Sequence, residues 1–503
     1  MSERPRVLII GAGAAGCAAA WSLARSGDAV AVEVWEKAAV AGGVASTQRW
    51  KGYWFNDGVQ GGAPCYANTF RLHAAAGFEP RPVHMTVNFG KGPTWWNNYG
   101  EKLETDLVRQ LRPEIRRFGQ LLERVNRLPW LYIWVPIARL LRWHGFSKSF
   151  TNLMVLPLTA LFFGTGNQTP KVSAVIVARV FLDPHMRLFA YDPDRLLSTQ
   201  PLMFAFDALE SIYTAMLKHP GIERVCYERE ACRLEALPDG VWVTDHNQRR
   251  ERFSQVILAT DAQTALKLLG SGATFMERNV LGRVRYFHDV TVTHTDEAYM
   301  DRYYQMDPDR RTDMYFVRTD PVDPSCIDMS FLLSAYQEQL RDAHGEPLPL
   351  FQTIFLNKEE RHRWTMDEIR RDQIVLVRWW KQMSHEWRHF VQVVPFVRFI
   401  QGGRHGNLWY AGSWTLMNIH EVAICSGLAA AEACGWALSK QTGKSPIGAY
   451  PFERDADASR FYTMYAKTAY GSRFRERLRN ARRASAATVE PLQPSAPGTA
   501  MES

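Results

Sequence analysis

Three glycines and an acid carry the first chemical signal in the chain. Gly11, Gly13 and Gly16 stand in Gly-x-Gly-x-x-Gly spacing with Ala12, Ala14 and Ala15 between them, and Glu36 follows twenty positions after Gly16. In such a set the first glycine allows a tight turn, the second lets backbone approach a pyrophosphate, and the third lets a helix pack closely on a strand. An acid about twenty residues further on can accept the hydroxyls of an adenosine ribose. The chemistry implied is dinucleotide binding, with anionic oxygens held by the N–H groups of a helix N-terminus. A second set of candidates lies far along the chain: Gly412, Ser413 and the adjacent pair His420-Glu421. Such a pair can move a proton, and its plainer reading is a helix-capping glutamate beside a hydrogen-bonded core histidine.

These residues need elements to position them. Arg6 to Ile10 is a short apolar run between Pro5 and Gly11, which predicts a buried parallel strand, and Cys17 to Ala24 has helical composition. The glycines therefore fall on a strand-to-helix turn. A second apolar run, Ala29 to Trp35, ends at Glu36, and Lys37 leads into Gly42-Gly43-Val44, a loop able to close over a pyrophosphate. Asp57-Gly58 makes a turn after aromatic residues 53–55, and Tyr66 to Leu72 opens a helix. Ala205 to Leu217 is helical by pattern. Phe253 to Ala262 reads as a buried strand ending in Ala259-Thr260, and Asn407 to Ala411 as another strand, with a helix from Val422 to Trp436.

Between these lie less regular stretches. A helical region at about 101–127 is interrupted by Pro113 and predicts two amphipathic helices, the proline sitting in the first turn of the second. Leu128 to Ala138 is apolar but broken by two prolines, and Phe150 to Phe163 is uncharged; both are short of the roughly 20 apolar residues a bilayer span needs. Their flanking Trp, Tyr and Arg suit either a lipid interface or burial against the dinucleotide domain. Runs at Val290 to Thr295, Met314 to Val317 and Ile327 to Leu332, with Arg378-Trp379-Trp380-Lys381-Gln382, predict an antiparallel sheet lining a substrate cavity.

At 503 residues the chain should form two or three domains. The net charge of +8 is concentrated in a tail, where Arg473, Arg475, Arg477, Arg479, Arg482 and Arg483 are offset only by Glu476, so nucleic-acid binding is not expected. Seven cysteines without Cys-x-x-Cys spacing argue against a disulfide framework and against a metal site. The first residues carry no apolar leader, and a cytoplasmic location is expected. The 17 Trp suit a large apolar ligand.

The order of these motifs resembles that of the flavin amine oxidase and phytoene desaturase superfamily. The runs Gly282 to His288 and His294-Thr295-Asp296, with His420-Glu421, are most similar to predicted FAD-dependent oxidoreductases related to the N-terminal region of plant cyclopropane fatty acid synthases. The resemblance implies an α/β fold, with a Rossmann-like FAD-binding domain (glutathione-reductase-like) and an inserted α+β substrate domain. Segments 1–82, 201–275 and 401–445 would form the FAD domain and segments 83–200 and 276–400 the substrate domain. Residues 446–503 would be a basic, then disordered, extension. The cofactor implied is FAD, bound by Gly11, Gly13, Ala14, Ala15, Gly16, Glu36, Lys37, Gly42, Gly43, Val44, Asp57, Gly58, Ala259, Thr260, Gly412, Ser413 and His420. His420 and Glu421 would tune the flavin or move a proton. The family has arginines where this chain has Val40 and Val44, so phosphate neutralisation falls to backbone N–H groups, Ser46 or an arginine elsewhere. Ser413 replaces an acid that reaches the ribityl chain.

The activity implied is hydride transfer between flavin N5 and a hydrophobic, lipid-like substrate. Redox-neutral isomerisation of an unsaturated fatty acid, amine oxidation and a non-catalytic flavin-binding partner of a lipid-modifying enzyme remain alternatives. Peripheral contact with an anionic membrane, through the apolar helices and the basic tail, is a further expectation.

Overall fold

Five apolar segments pair into a parallel sheet in the order Ile222–Cys226, Ala31–Trp35, Arg6–Ile10, Gln255–Leu258, Leu408–Tyr410. The three central strands, Ala31–Trp35, Arg6–Ile10 and Gln255–Leu258, are buried along nearly their whole length, which is why they read as continuous apolar runs and not as alternating ones. The computed structural model describes residues 4–474 except 100–103, 165, 184–188, 198–199, 307–312, 321, 324–325, 444–446 and 473. The basic tail expected from Arg473 onward therefore lies almost wholly outside the described residues.

Two helices cover the sheet at its centre, Ala14–Ala24 and His420–Thr442. Both are rich in small residues, and Gly427 lies against the backbone of Ala15. His420–Thr442 is long and apolar enough to cross a membrane, but most of it is buried here as a core helix. A three-stranded antiparallel meander, Ala231–Leu237, Gly240–Asp245 and Arg250–Phe253, connects two strands of the parallel sheet.

The second layer is a seven-stranded sheet in the order Ile374–Met383, Tyr286–His294, Phe351–Phe355, Ile327–Leu332, Tyr315–Thr319, Val87–Phe89, Trp96–Asn97. Its outward face (Val290, Val292, Phe316, Leu332, Phe351, Phe355) forms a separate core with Tyr299 and Met300. Its inward face looks across at the dinucleotide domain.

Helices fill one side of this layer, and here the structure corrects the sequence. Asp106–Arg127 is one helix with Pro113 inside it, not two. Pro113 sits on the exposed face, so the carbonyl it leaves without its helical donor belongs to exposed Arg109 and not to a buried residue. Leu107, Leu111, Ile115, Phe118 and Leu122 then keep one continuous buried stripe. The helix expected from Ala205 begins only at Leu209, because Leu202–Ala205 pairs as a strand with Gly61–Gly62 and Arg81–His84.

Candidate functional site

The ends of four parallel strands meet at one point. Ala12 N–H donates to Glu36 Oε2 (2.7 Å), and Ala12 carbonyl accepts from Gly42 N–H (2.9 Å). Ala259 N–H donates to Ile10 carbonyl and Ala411 N–H to Leu258 carbonyl, both at 2.9 Å, while Trp414 Nε1 donates to Thr260 carbonyl (3.1 Å). Glu36, Thr260 and Gly412, which stand far apart in sequence, are thus joined by a short chain of contacts at the carboxyl ends of the strands. In an open parallel sheet this is where ligands bind.

The residues present fit a dinucleotide. Gly13 forms a bridge with Gly42, so two glycine loops face each other over the first turn of Ala14–Ala24, a helix with no side-chain cap and no acid in that turn. Its N–H groups are available to a pyrophosphate. The close approach requires glycine: a Cβ on Gly16 would lie 1.8 Å from the Gly11 carbonyl oxygen. Glu36 is buried and fixed by Ala12 N–H and Ala38 N–H (2.8 Å). Since a carboxylate accepts about four hydrogen bonds, two positions remain for ribose hydroxyls. Lys37, Val40 and Val44 are exposed beside it.

A second cluster joins the two layers. Ser46 Oγ donates to Asp57 Oδ1 (2.6 Å), and Arg378 Nη1, from the seven-stranded sheet, donates to Ser46 Oγ (2.6 Å) and Asp57 Oδ2 (2.9 Å). Burial pushes the Asp57 carboxyl above its ordinary range, although Ser46 and Arg378 pull the other way. Arg378 stacks on Trp380, whose ring lies against Gly58; a Cβ there would meet the Val44 carbonyl oxygen at 1.8 Å. Nearby, Lys381 Nζ donates to Asp261 Oδ1 (2.6 Å). Burial alone would raise Asp261, but its bonds to Lys381 and Thr264 hold it below the usual carboxylate range. Arg378, Trp380, Lys381 and Asp261 are not among the site residues expected from sequence. The one signal is the basic-aromatic run 378–382, whose alternation on a strand puts Arg378, Trp380 and Gln382 on one face.

Register extends that face. Thr291 pairs with Arg378, Asp289 with Trp380, Thr293 with Gln352, Gln352 with Phe331, and Phe331 with Tyr315. Tyr315, Phe331, Ile354 and Trp380 keep partial exposure on the face turned to the other layer. The wall is polar at Thr291, Thr293 and Gln352 and aromatic at Phe331 and Tyr315, whose rings lie 4.7 Å apart.

His420 and Glu421 both lie in the core. Glu421 is fully buried and accepts from Asn68 N–H (3.0 Å), Asn68 Nδ2 (2.7 Å), Thr69 N–H (2.8 Å) and Thr69 Oγ1 (2.7 Å). It anchors the first turn of Ala67–Ala75, and burial pushes its carboxyl up against those bonds. His420 packs among His73, Phe206 and Tyr213, with Nε2 3.3 Å from the Tyr213 hydroxyl, and burial lowers it to about 4, so at neutral pH it is uncharged. The plainer of the two readings is the one the geometry supports, because every acceptor position on Glu421 is spent on holding the fold. Ser413 Oγ donates to Asn418 Oδ1 (3.0 Å), and Asn418 N–H donates to His385 Nε2 (3.0 Å), which clamps the loop before the helix.

Residues 9–75 match a model described as an NAD(P)-binding Rossmann-like domain. No curated protein matches by sequence. Among solved structures, cyclohexylamine oxidase from Brevibacterium oxydans IH-35A is similar with a TM-score of 0.60 and 14% identity, over 88% of this chain and 100% of that one. A CLA-producing fatty acid isomerase from P. acnes has a TM-score of 0.58 and 17% identity, over 85% of this chain and 98% of that one. A putrescine oxidase redesigned in its cofactor binding has a TM-score of 0.59 and 12% identity, over 85% of this chain and 98% of that one. The chain shares the fold of these oxidases and of the isomerase. Within that fold the glycine loops and Glu36 lie at the dinucleotide end of the cleft, and the inward sheet face lies across from them.

Proposed function

We propose that the chain is an FAD-dependent oxidoreductase that transfers a hydride from or to a hydrophobic, lipid-like substrate. The observation that carries this reading is the meeting of Glu36, the two glycine loops, Thr260 and Gly412 at the carboxyl ends of the parallel strands, with a partly exposed aromatic face of the second sheet turned toward them. When bound, FAD supplies the acceptor and donor of the hydride. Backbone N–H groups at Gly13 to Gly16 would hold the pyrophosphate, and Glu36 the ribose. Arg378 keeps Asp57 paired at the junction of the two layers, and the aromatic wall excludes water from the apolar part of the substrate.

An apolar substrate is favoured over an amine because Asp57 is paired with Arg378 and Asp261 with Lys381, and burial pushes Asp289, which accepts from Asn357 N–H, up to about 7. A redox-neutral isomerase is the second reading, supported by the fatty acid isomerase among the similar folds. Anaerobic titration with unsaturated fatty acids separates the two. Bleaching of the flavin absorbance supports net oxidation, and double-bond migration without any electron acceptor supports isomerisation. Bound flavin that answers to neither lipids nor amines would leave only a non-catalytic role.

A further inference from the structure

From Arg124 to Leu182 the sequence contains Arg124, Arg127, Arg139, Arg142, Lys148, Lys171 and Arg179 and not one acid. Most of the apolar side chains in this stretch are buried. Phe150, Met154, Leu158 and Phe163 are in the core, as is most of the helix Ala174–Leu182, so the uncharged run around 150–163 offers no outer face.

The short helix Pro129–Tyr132, the turn after it and the helix Ile137–Trp143 behave differently. They pack inward through Ile137, Leu140 and Leu141, and backbone bonds from Ile137 N–H to Val172 carbonyl and from Ala174 N–H to Val135 carbonyl fix them beside Ala174–Leu182. Outward they present Trp130, Leu131, Trp134 and Trp143, which are 64%, 44%, 53% and 63% exposed. Three exposed indoles within fourteen residues make a concentration of apolar surface that water alone does not explain. Arg124, Arg127, Arg139 and Arg142 are exposed on the same segment, and none has an ion-pair partner among the described residues. By contrast Arg109 and Arg116, earlier on the adjoining helix, pair with Asp106 and Asp194.

We infer that this face docks on an anionic lipid bilayer, with Trp130, Trp134 and Trp143 at the boundary between headgroups and acyl chains and the unpaired arginines on lipid phosphates. Indole rings suit that depth because one edge is apolar and the N–H is polar, and guanidiniums on long stems reach up to the headgroups. The charge fits only one sign of surface, since the segment holds no acid and only Lys171 among its cations pairs with one from elsewhere, Glu386, among the described residues.

The test uses the full-length protein and phosphatidylcholine vesicles with or without phosphatidylglycerol, some carrying brominated acyl chains. The expected result is co-flotation with the anionic vesicles and partial quenching of tryptophan fluorescence by the brominated lipid. A Trp130→Ser, Trp134→Ser, Trp143→Ser variant of unchanged melting temperature should lose that quenching even if the basic tail still holds it to vesicles. Arg139→Gln with Arg142→Gln should weaken binding about 30-fold at low salt. Failure of the folded protein to bind anionic vesicles overturns the inference, as does quenching that survives the triple tryptophan change. A concentration-dependent dimer that the triple change abolishes would instead make the face a contact between copies of the chain, and would also overturn it.

Discussion

The two walls of the cleft are built on opposite principles. On the dinucleotide side the geometry is made by backbone: Gly16 and the Gly13–Gly42 bridge bring main chain so close that any Cβ at Gly16 would collide with a carbonyl. On the facing side it is made by side chains projecting from strands far apart in sequence, as when Arg378 reaches Asp57. A wall made of backbone admits almost no substitution, and so leaves its imprint in residue type and spacing. A wall made of side chains can keep its shape through many sequences of similar volume.

The difference between the walls can be tested one residue at a time. Gly16→Val places two methyl groups where the Gly11 carbonyl already sits, and should cost about 3 kcal/mol or more, read as lost soluble yield and a lower urea midpoint. Glu421→Ala leaves the donors of Asn68 and Thr69 without an acceptor and should cost about 3 kcal/mol in chemical denaturation. In the milder Glu421→Gln, flavin reduction by substrate should keep its rate, because the carboxylate holds a helix and touches no reacting atom. A slowed reduction step without loss of stability would restore the catalytic expectation for this residue.

Acid should come next, acting through buried histidines on both sides, since His294 belongs to the seven-stranded sheet and His420 to the helix over the parallel one. Burial holds His385 at about 3 and His389, His420 and His294 at about 4, against 6.5 in an unfolded chain. Between those values the unfolded state binds more protons than the folded one. The stability due to these groups is therefore complete above pH 6.5 and is lost as the pH falls toward 4. Thermal melts from about pH 7.5 to about 4.5 should show a steady decline beginning near 6.5; a flat profile would mean that the histidines gain partners on protonation. The smallest effect belongs to the facing wall: Phe331→Leu should cost only about 1 kcal/mol and leave FAD affinity unaltered while shifting substrate KM.

The same contrast explains what is legible in the sequence. The parallel strands are visible because continuous apolar runs end in glycine, Glu36 or Ala259-Thr260. The single helix through Pro113 is not, because its tolerance depends on which face the proline occupies, and that is decided by packing. Glu421 misleads for a similar reason: a carboxylate at a helix start looks the same in sequence whether it faces a ligand or the Asn68-Thr69 turn some 350 residues away. The pairing of Arg378 with Ser46 and Asp57 likewise requires the register of a long strand. Val87–Phe89 joining Tyr315–Thr319 in parallel cannot be foreseen from either segment alone.

The most direct measurement is titration of the purified protein with FAD by calorimetry and visible absorbance, beside Glu36→Ala. A yellow protein binding one FAD per chain is expected, with affinity about 100-fold weaker in the variant, which loses a charged acceptor of hydrogen bonds. A colourless protein that takes up no FAD, or a Glu36→Ala variant that binds it as tightly as the wild type, would contradict the assignment of this cleft.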